Sequence, residues 1–218
     1  MESIEAYFRR HSGRAFLLGN GRSLADHLDA PFNPEETITM NRSWIVVPNA
    51  LYHCMNGDMR TRIGHPKHII FLGHKEQYGD EFSLGCPIIH VTAYSTEAAR
   101  KMKQLKDLGI PAEFDLRRVW PTAGISEKKA TAGLLAVYAA WFLGFREVYL
   151  IGYDGYGGHF TKADWNLTPS HAWIVPQFVH HTNKLLEYDP DFRLYNCNPD
   201  NAYGNLPYKS VEAAINGD

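Results

Sequence analysis

Residues 131–158, TAGLLAVYAAWFLGFREVYLIGYDGYGG, narrow most sharply what this chain can fold into. The first half has no polar face: Leu134, Leu135, Val137, Tyr138, Trp141, Phe142 and Leu143 would surround a helix with apolar side chains. Such a helix belongs in an interior. Gly144 stands where a helix ends in a left-handed residue. Residues 148–151, Val-Tyr-Leu-Ile, then make a short apolar run, as a strand covered on both sides does. Gly152-Tyr-Asp154-Gly-Tyr156-Gly-Gly follows, too rich in glycine to serve only as a connector. A buried helix, a buried parallel strand and a glycine-rich loop at the strand's carboxyl end describe where open α/β sheets bind ligands.

The rest of the chain fits that frame. Residues 15–18 read as the first buried strand and run into Gly19-Asn20-Gly21-Arg22-Ser23-Leu24, with a helix over 23–28 capped by Ser23. Residues 37–40 are a second strand ending on Asn41. Residues 44–47 and 50–52 are further strand candidates, followed by a polar loop, Asn56-Gly57-Asp58. Strands are expected over 68–73, 87–91 and 192–196. Helices are expected near the start, over 96–108, over 175–188 with Pro176 tolerated in its first turn, and over 210–215. Residues 110–129, with two prolines and mixed charge, read as loop or lid. The expected fold class is α/β: a Rossmann-like, mostly parallel sheet with helices on both faces. The 218 residues suit one domain, with a short mobile lid near 153–172.

Charge and cysteine usage limit the function classes. A net charge of −2 argues against general nucleic-acid or membrane-surface binding, though a nucleotide ligand needs only a few local donors. Cys54, Cys86 and Cys197 are odd in number and form no CxxC, which points to a reduced, cytoplasmic protein. The start is charged and amphipathic, unlike a signal peptide or anchor, and no later run reaches the roughly 18 apolar residues of a membrane span. Metal signals are weak. His65-Pro-Lys-His68 and His180-His181 lack the partners and spacing of a zinc site, and Asp189-Pro-Asp191 reads as a turn. No metal and no cofactor is expected.

The first candidate for chemistry is the turn after the first strand. A strand, a glycine turn and a helix start present backbone N–H groups to an anion. Leu24 stands where a dinucleotide fingerprint has its third glycine, and Asn41 where a ribose-binding acid would be, which points away from NAD. A tight turn with no ligand is the plain alternative.

LLGNGRSL, TMNRSW, the 131–156 stretch, PSHAW and LYNCNPDNAY occur in an order and spacing similar to the small bacterial sialyltransferases that build lipooligosaccharide caps, of glycosyltransferase family 42. The resemblance runs from about residue 15 to residue 207. A wider set, including archaeal pterin diphosphokinase-like proteins, shares the GNG-x-S start and the helix–strand pair. The sialyltransferase likeness implies metal-independent, inverting transfer from a nucleotide-activated sugar, a CMP-sugar first, to a glycan or small-molecule acceptor. It implies that Asn20, Ser23 and Asn41 surround the nucleotide, with Thr131, Ala132 and Gly133 near the cytidine and phosphate. Gly19, Gly21, Asn56, Lys129, Gly152 and Asp154 complete the candidate substrate-binding set. Tyr156 resembles a tyrosine that donates to the departing phosphate, and His171 the general base on the acceptor hydroxyl. The family's second phosphate-facing tyrosine has no counterpart, and Lys162 falls at its spacing. Lys129 replaces an arginine and Ala132 a small hydroxyl residue, with Thr131 beside it.

Those roles are physically coherent. Breaking a sugar–phosphate bond builds negative charge on the leaving oxygen, which phenol donors or a lysine stabilise. The sugar becomes oxocarbenium-like. The incoming hydroxyl loses a proton, and imidazole titrates near neutrality. Each residue also has a plainer reading: Tyr156 packed over the sheet edge, His171 solvated in a loop, Asp154 ordering its own loop. A Mg²⁺-dependent, diphosphokinase-like phosphoryl transferase and a non-catalytic nucleotide-binding module stay open as alternatives.

Overall fold

A computed structural model describes residues 9–56, 67–72, 88–91, 131–155, 160, 174–200 and 202–218; for residues 55–56, 68–72, 88–91 and 135 the backbone alone is described. In chain order the strands are β1 (Arg14–Leu18), β2 (Thr37–Met40), β3 (Tyr52–Asn56), β4 (His68–Leu72), β5 (Ile88–Val91), β6 (Glu147–Ile151) and β7 (Arg193–Asn196). The helices are α1 (Ala132–Leu143), α2 (Ile174–Tyr188) and α3 (Val211–Asn216). Among the described residues the strands form one seven-stranded sheet, ordered β5-β4-β3-β2-β1-β6-β7. Every pairing in it is parallel. The chain builds outward from β1 to β5, then returns to lay β6 on the other side of β1. The strand order therefore reverses between β1 and β6, where a crevice opens at the carboxyl ends of an α/β sheet.

The two sheet faces follow from alternation along each strand. Ala15 and Leu17 of β1 join one apolar cluster with Ile38, Cys54, Leu150 and the inner sides of α1 and α2. Phe16 and Leu18 join the opposite cluster with Leu24, Tyr149, Ile151 and the α3 residues Val211 and Ala214. Helices thus cover both faces, as a parallel sheet requires.

The all-round apolar helix is α1, and its ends are fixed locally. The Thr131 hydroxyl accepts the Leu134 N–H at 3.2 Å, and Gly144 closes the helix at φ 99° with its N–H on the Ala140 and Trp141 carbonyls. A side chain on Gly144 would meet the His11 carbonyl at 2.4 Å, so the approach of the N-terminal segment also needs the glycine. His11 seals that segment: its ring stacks on Phe145 at 4.7 Å, and its Nε2 lies 2.7 Å from the Tyr52 hydroxyl.

Two expectations are corrected. Residues 44–47 are not a strand; the chain makes a 3-10 turn at Ser43–Ile45. The Ser43 hydroxyl causes this, accepting the Met40 N–H at 2.7 Å and donating to the Leu18 carbonyl at 2.5 Å. Pairing resumes only at Tyr52, opposite Ile38. The helix after β1 is a 3-10 segment, Arg22–His27, with Gly21 rather than Ser23 at its cap position. The expected helices near the start and over 96–108 and the loop over 110–129 lie outside the described residues.

Candidate functional site

At the order reversal the turn after β1 and the turn after β6 are joined backbone to backbone. The Gly19 N–H donates to the Ile151 carbonyl and the Gly21 N–H to the Gly152 carbonyl, both at 2.7 Å. Glycine is required by this closeness: a Cβ on Gly19 would lie 2.2 Å from the Gly152 oxygen. Gly152 itself is left-handed, at φ 71°.

Asp154 sits against the same turn. The residue is 6% exposed, and its side chain accepts the Ser23 N–H at 2.8 Å, the Ser23 hydroxyl, and the Asn198 side-chain amide at 3.0 Å. A Cβ on Gly21 would lie 2.6 Å from the Asp154 carboxyl carbon. One carboxylate therefore gathers the connections that follow β1, β6 and β7. The partners of Asp154 among the described residues, Ser23 and Asn198, belong to two other loops. The expectation that Ser23 caps a helix fails, because Gly21 holds the cap position and the Ser23 hydroxyl is directed at Asp154.

Tyr153 links this junction to the start of α1. Its ring would be 3.0 Å from a Cβ on Gly19 and 3.1 Å from one on Gly133. Its hydroxyl is 3.1 Å from the Met40 sulfur and 3.3 Å from the Gly133 carbonyl. Burial, then the neighbouring Cys54 and Tyr203, hold this phenol well above the ordinary tyrosine range, so it stays a neutral donor. Behind it Phe178 packs at 5.8 Å and Tyr203 on Phe178 at 4.4 Å.

The turn after β2 also reaches this junction. Asn41 is left-handed at φ 47°, a conformation asparagine tolerates better than most residues. Its N–H donates to the Cys54 carbonyl at 3.0 Å. Asn20 accepts the Arg42 N–H on its side-chain oxygen at 3.1 Å, and its carbonyl accepts the Phe160 N–H at 3.0 Å. Gly19, Asn20, Gly21, Ser23, Gly152 and Asp154 thus form one connected rim. Tyr153 joins Gly133, and with it the 131–133 turn, to that rim, and Arg42 joins Asn41. Asn56 ends β3 opposite Leu72, within the strand rather than in a loop. Lys129, Tyr156, Lys162 and His171 lie outside the described residues. Of the segment expected as a lid, Tyr153 and Asp154 are buried.

Three contributors were absent from the sequence-based set: Tyr153, Asn198 and Arg42. Tyr153 lies beside Asp154 in the loop already singled out, and Asn198 lies in the LYNCNPDNAY motif. Nothing local separates Tyr153 from Tyr156; the two glycines facing it, Gly19 and Gly133, are the distinguishing signal, and they are remote in sequence.

The fold is shared with known glycosyltransferases. It is similar to the sialyltransferase CstII in complex with a trisaccharide acceptor and CMP, with a TM-score of 0.53 at 15% identity over 92% of this chain and 86% of that one. The Campylobacter jejuni enzyme in complex with CMP-3FNeuAc gives 0.50 at 15% identity over 90% and 86%. The MAf glycosyltransferase from Magnetospirillum magneticum AMB-1 gives 0.50 at 12% identity, over 97% of this chain but 37% of that protein. No protein-family model matches the chain, and no curated protein matches its sequence. The chain has the α/β, Rossmann-like fold of the family 42 sialyltransferases. Among the described residues no helix is long and apolar enough to cross a membrane.

Proposed function

We propose that this protein is a glycosyltransferase that moves a sugar from a nucleotide-activated donor, a CMP-sugar first among candidates, to an acceptor hydroxyl. One observation carries the reading: the turns after β1, β2 and β6 and the start of α1 converge at the order reversal, on a fold whose solved examples include CMP-bound sialyltransferases. Asn20, Asn41 and the Thr131–Gly133 turn are assigned to the nucleotide. The acceptor oxygen forms its bond to the anomeric carbon as the carbon–oxygen bond to phosphate breaks, and the nucleotide departs with that electron pair. Tyr156 and Lys162 are assigned to the charge growing on the phosphate, and His171 to the proton released by the acceptor. Sialic acid is the first sugar to test, and the acceptor is a glycan or another hydroxyl-bearing small molecule.

A thermal-shift panel of CMP, UMP, UDP, GDP and ATP and their sugars, with and without Mg²⁺, tests the reading. A ligand at about 100 times its dissociation constant adds about 2.7 kcal/mol. Selective stabilisation by cytidine monophosphate compounds without metal is expected. A response to ATP with Mg²⁺ alone would replace this reading with phosphoryl transfer.

A further inference from the structure

The glycine turn after β1 has the outline of a phosphate cradle, yet its described contacts are with the protein's own groups. The Gly21 N–H is on the Gly152 carbonyl. The Ser23 N–H and hydroxyl are both on Asp154, which also takes the Asn198 amide. The missing Cβ of Gly21 leaves room for the Asp154 carboxyl group, 2.6 Å from where that carbon would be. Such a turn closes its glycines around a ligand phosphate when it binds one; this one closes around an internal carboxylate.

We propose that Asp154 is a specificity-determining residue that occupies the anion position of the β1 turn and so restricts the crevice to nucleoside monophosphate compounds, excluding nucleoside diphosphates. The proposal rests on the glycosyl-transfer reading for the placement of the nucleotide and adds a reason for its phosphate number. A single phosphate held from the α1 side need not enter the β1 turn. A second phosphate directed there would meet a buried, like-charged group already served by three donors, and would have to displace it or lie against it. Like charges at short range in a poorly solvated position repel strongly. The neutral amide of Asp154→Asn keeps the shape, removes that repulsion and lets Ser23 face an incoming oxygen.

The test is calorimetric titration of CMP and CDP, without metal, into the wild-type chain and Asp154→Asn, with circular dichroism to establish folding. The wild type is expected to prefer CMP by at least tenfold. Asp154→Asn is expected to narrow that preference about tenfold, through tighter CDP binding. Equal wild-type affinities, or an unchanged preference in a folded Asp154→Asn, would overturn the proposal. If Asp154→Asn does not fold, Ser23→Ala decides. Removing one donor leaves the carboxylate less neutralised, so the preference should widen about threefold, and a preference that stays the same or shrinks overturns it. A wild type that binds neither CMP nor any other nucleotide would instead remove the glycosyl-transfer reading itself, which separates the two failures.

Discussion

The two ends of the sheet are built by different means. At the amino end long cations meet carboxylates and carbonyls near the surface. Arg14 reaches Glu36 at 3.1 Å and the Ala214 and Ile215 carbonyls at 2.7 and 3.0 Å. Arg146 meets Asp189 at 3.0 Å, and Arg193 meets Glu147 at 3.2 Å. At the carboxyl end backbone touches backbone through Gly19, Gly21 and Gly152, and the Asp154 carboxylate is buried and bonded three times. Flexible, half-solvated side chains can rearrange around a lost partner. Atoms in backbone contact cannot. The contrast places tolerance at one rim and precision at the other, where the proposed nucleotide site lies.

The largest test of this contrast is Gly19→Ala and, separately, Gly21→Ala. Each Cβ would fall within 3 Å of backbone or of the Asp154 carboxylate, so a loss of about 3 kcal/mol or more is expected in urea unfolding. Gly204→Ala, where nothing lies within 4 Å, should change stability by less than about 0.5 kcal/mol. Equal effects at Gly21 and Gly204 would erase the distinction.

Between the rims, in the sheet itself, His53 offers a comparably large effect that depends on pH. It is fully buried, its Nδ1 lies 2.8 Å from the Thr39 hydroxyl, and its Nε2 has no partner among the described residues. Burial pushes its pKa down from 6.5 to about 4. Above pH 6.5 the imidazole is neutral in both states, and its contribution is fully present. As pH falls from 6.5 to 4, the unfolded chain takes up a proton that the fold refuses, so stability falls by about 3 kcal/mol and then levels. Urea unfolding from pH 7.5 to 4.5 should show a shallower slope in His53→Gln than in the wild type. Parallel slopes would remove His53 as the cause.

Thr131→Ala, which deletes the cap of α1 at the precise rim, should cost about 1 kcal/mol in the same unfolding measurement. It should also weaken CMP binding more than its stability loss alone explains; unchanged CMP affinity would separate the helix start from the nucleotide. The smallest effect is expected for Arg193→Ala. This arginine is 63% exposed in its ion pair, and its loss should move the midpoint by less than about 0.5 kcal/mol. A loss above 1 kcal/mol would mean that the amino rim is not tolerant.

Much of the fold was legible because its signals are local. Gly144 stops α1 through its own φ, and residues 148–151 announce a doubly covered strand by composition alone. Ser210 caps α3 on the Ala213 N–H, as serine before an amphipathic run does. The misreadings came where a side chain answered to something distant. Trp44, Ile45, Val46 and Val47 read as a strand by hydrophobicity, but the Ser43 hydroxyl, bonded to Leu18 in β1, turns the chain there. Ser23 has the chemistry of a cap, but its partner is 131 positions away. The glycines of the site were found in the sequence, although what they accommodate was not.

By itself the sequence determined a parallel α/β sheet, a buried central helix with its stop, and two glycine turns at strand ends. These are set by periodicity and backbone freedom over consecutive residues. Only the tertiary structure decided that β6 lies beside β1, that the two turns share hydrogen bonds, and that the Asp154 carboxylate bonds Ser23 and Asn198. Strand order brings those groups within bonding distance, and no window of consecutive residues encodes which remote carboxylate will face a given N–H.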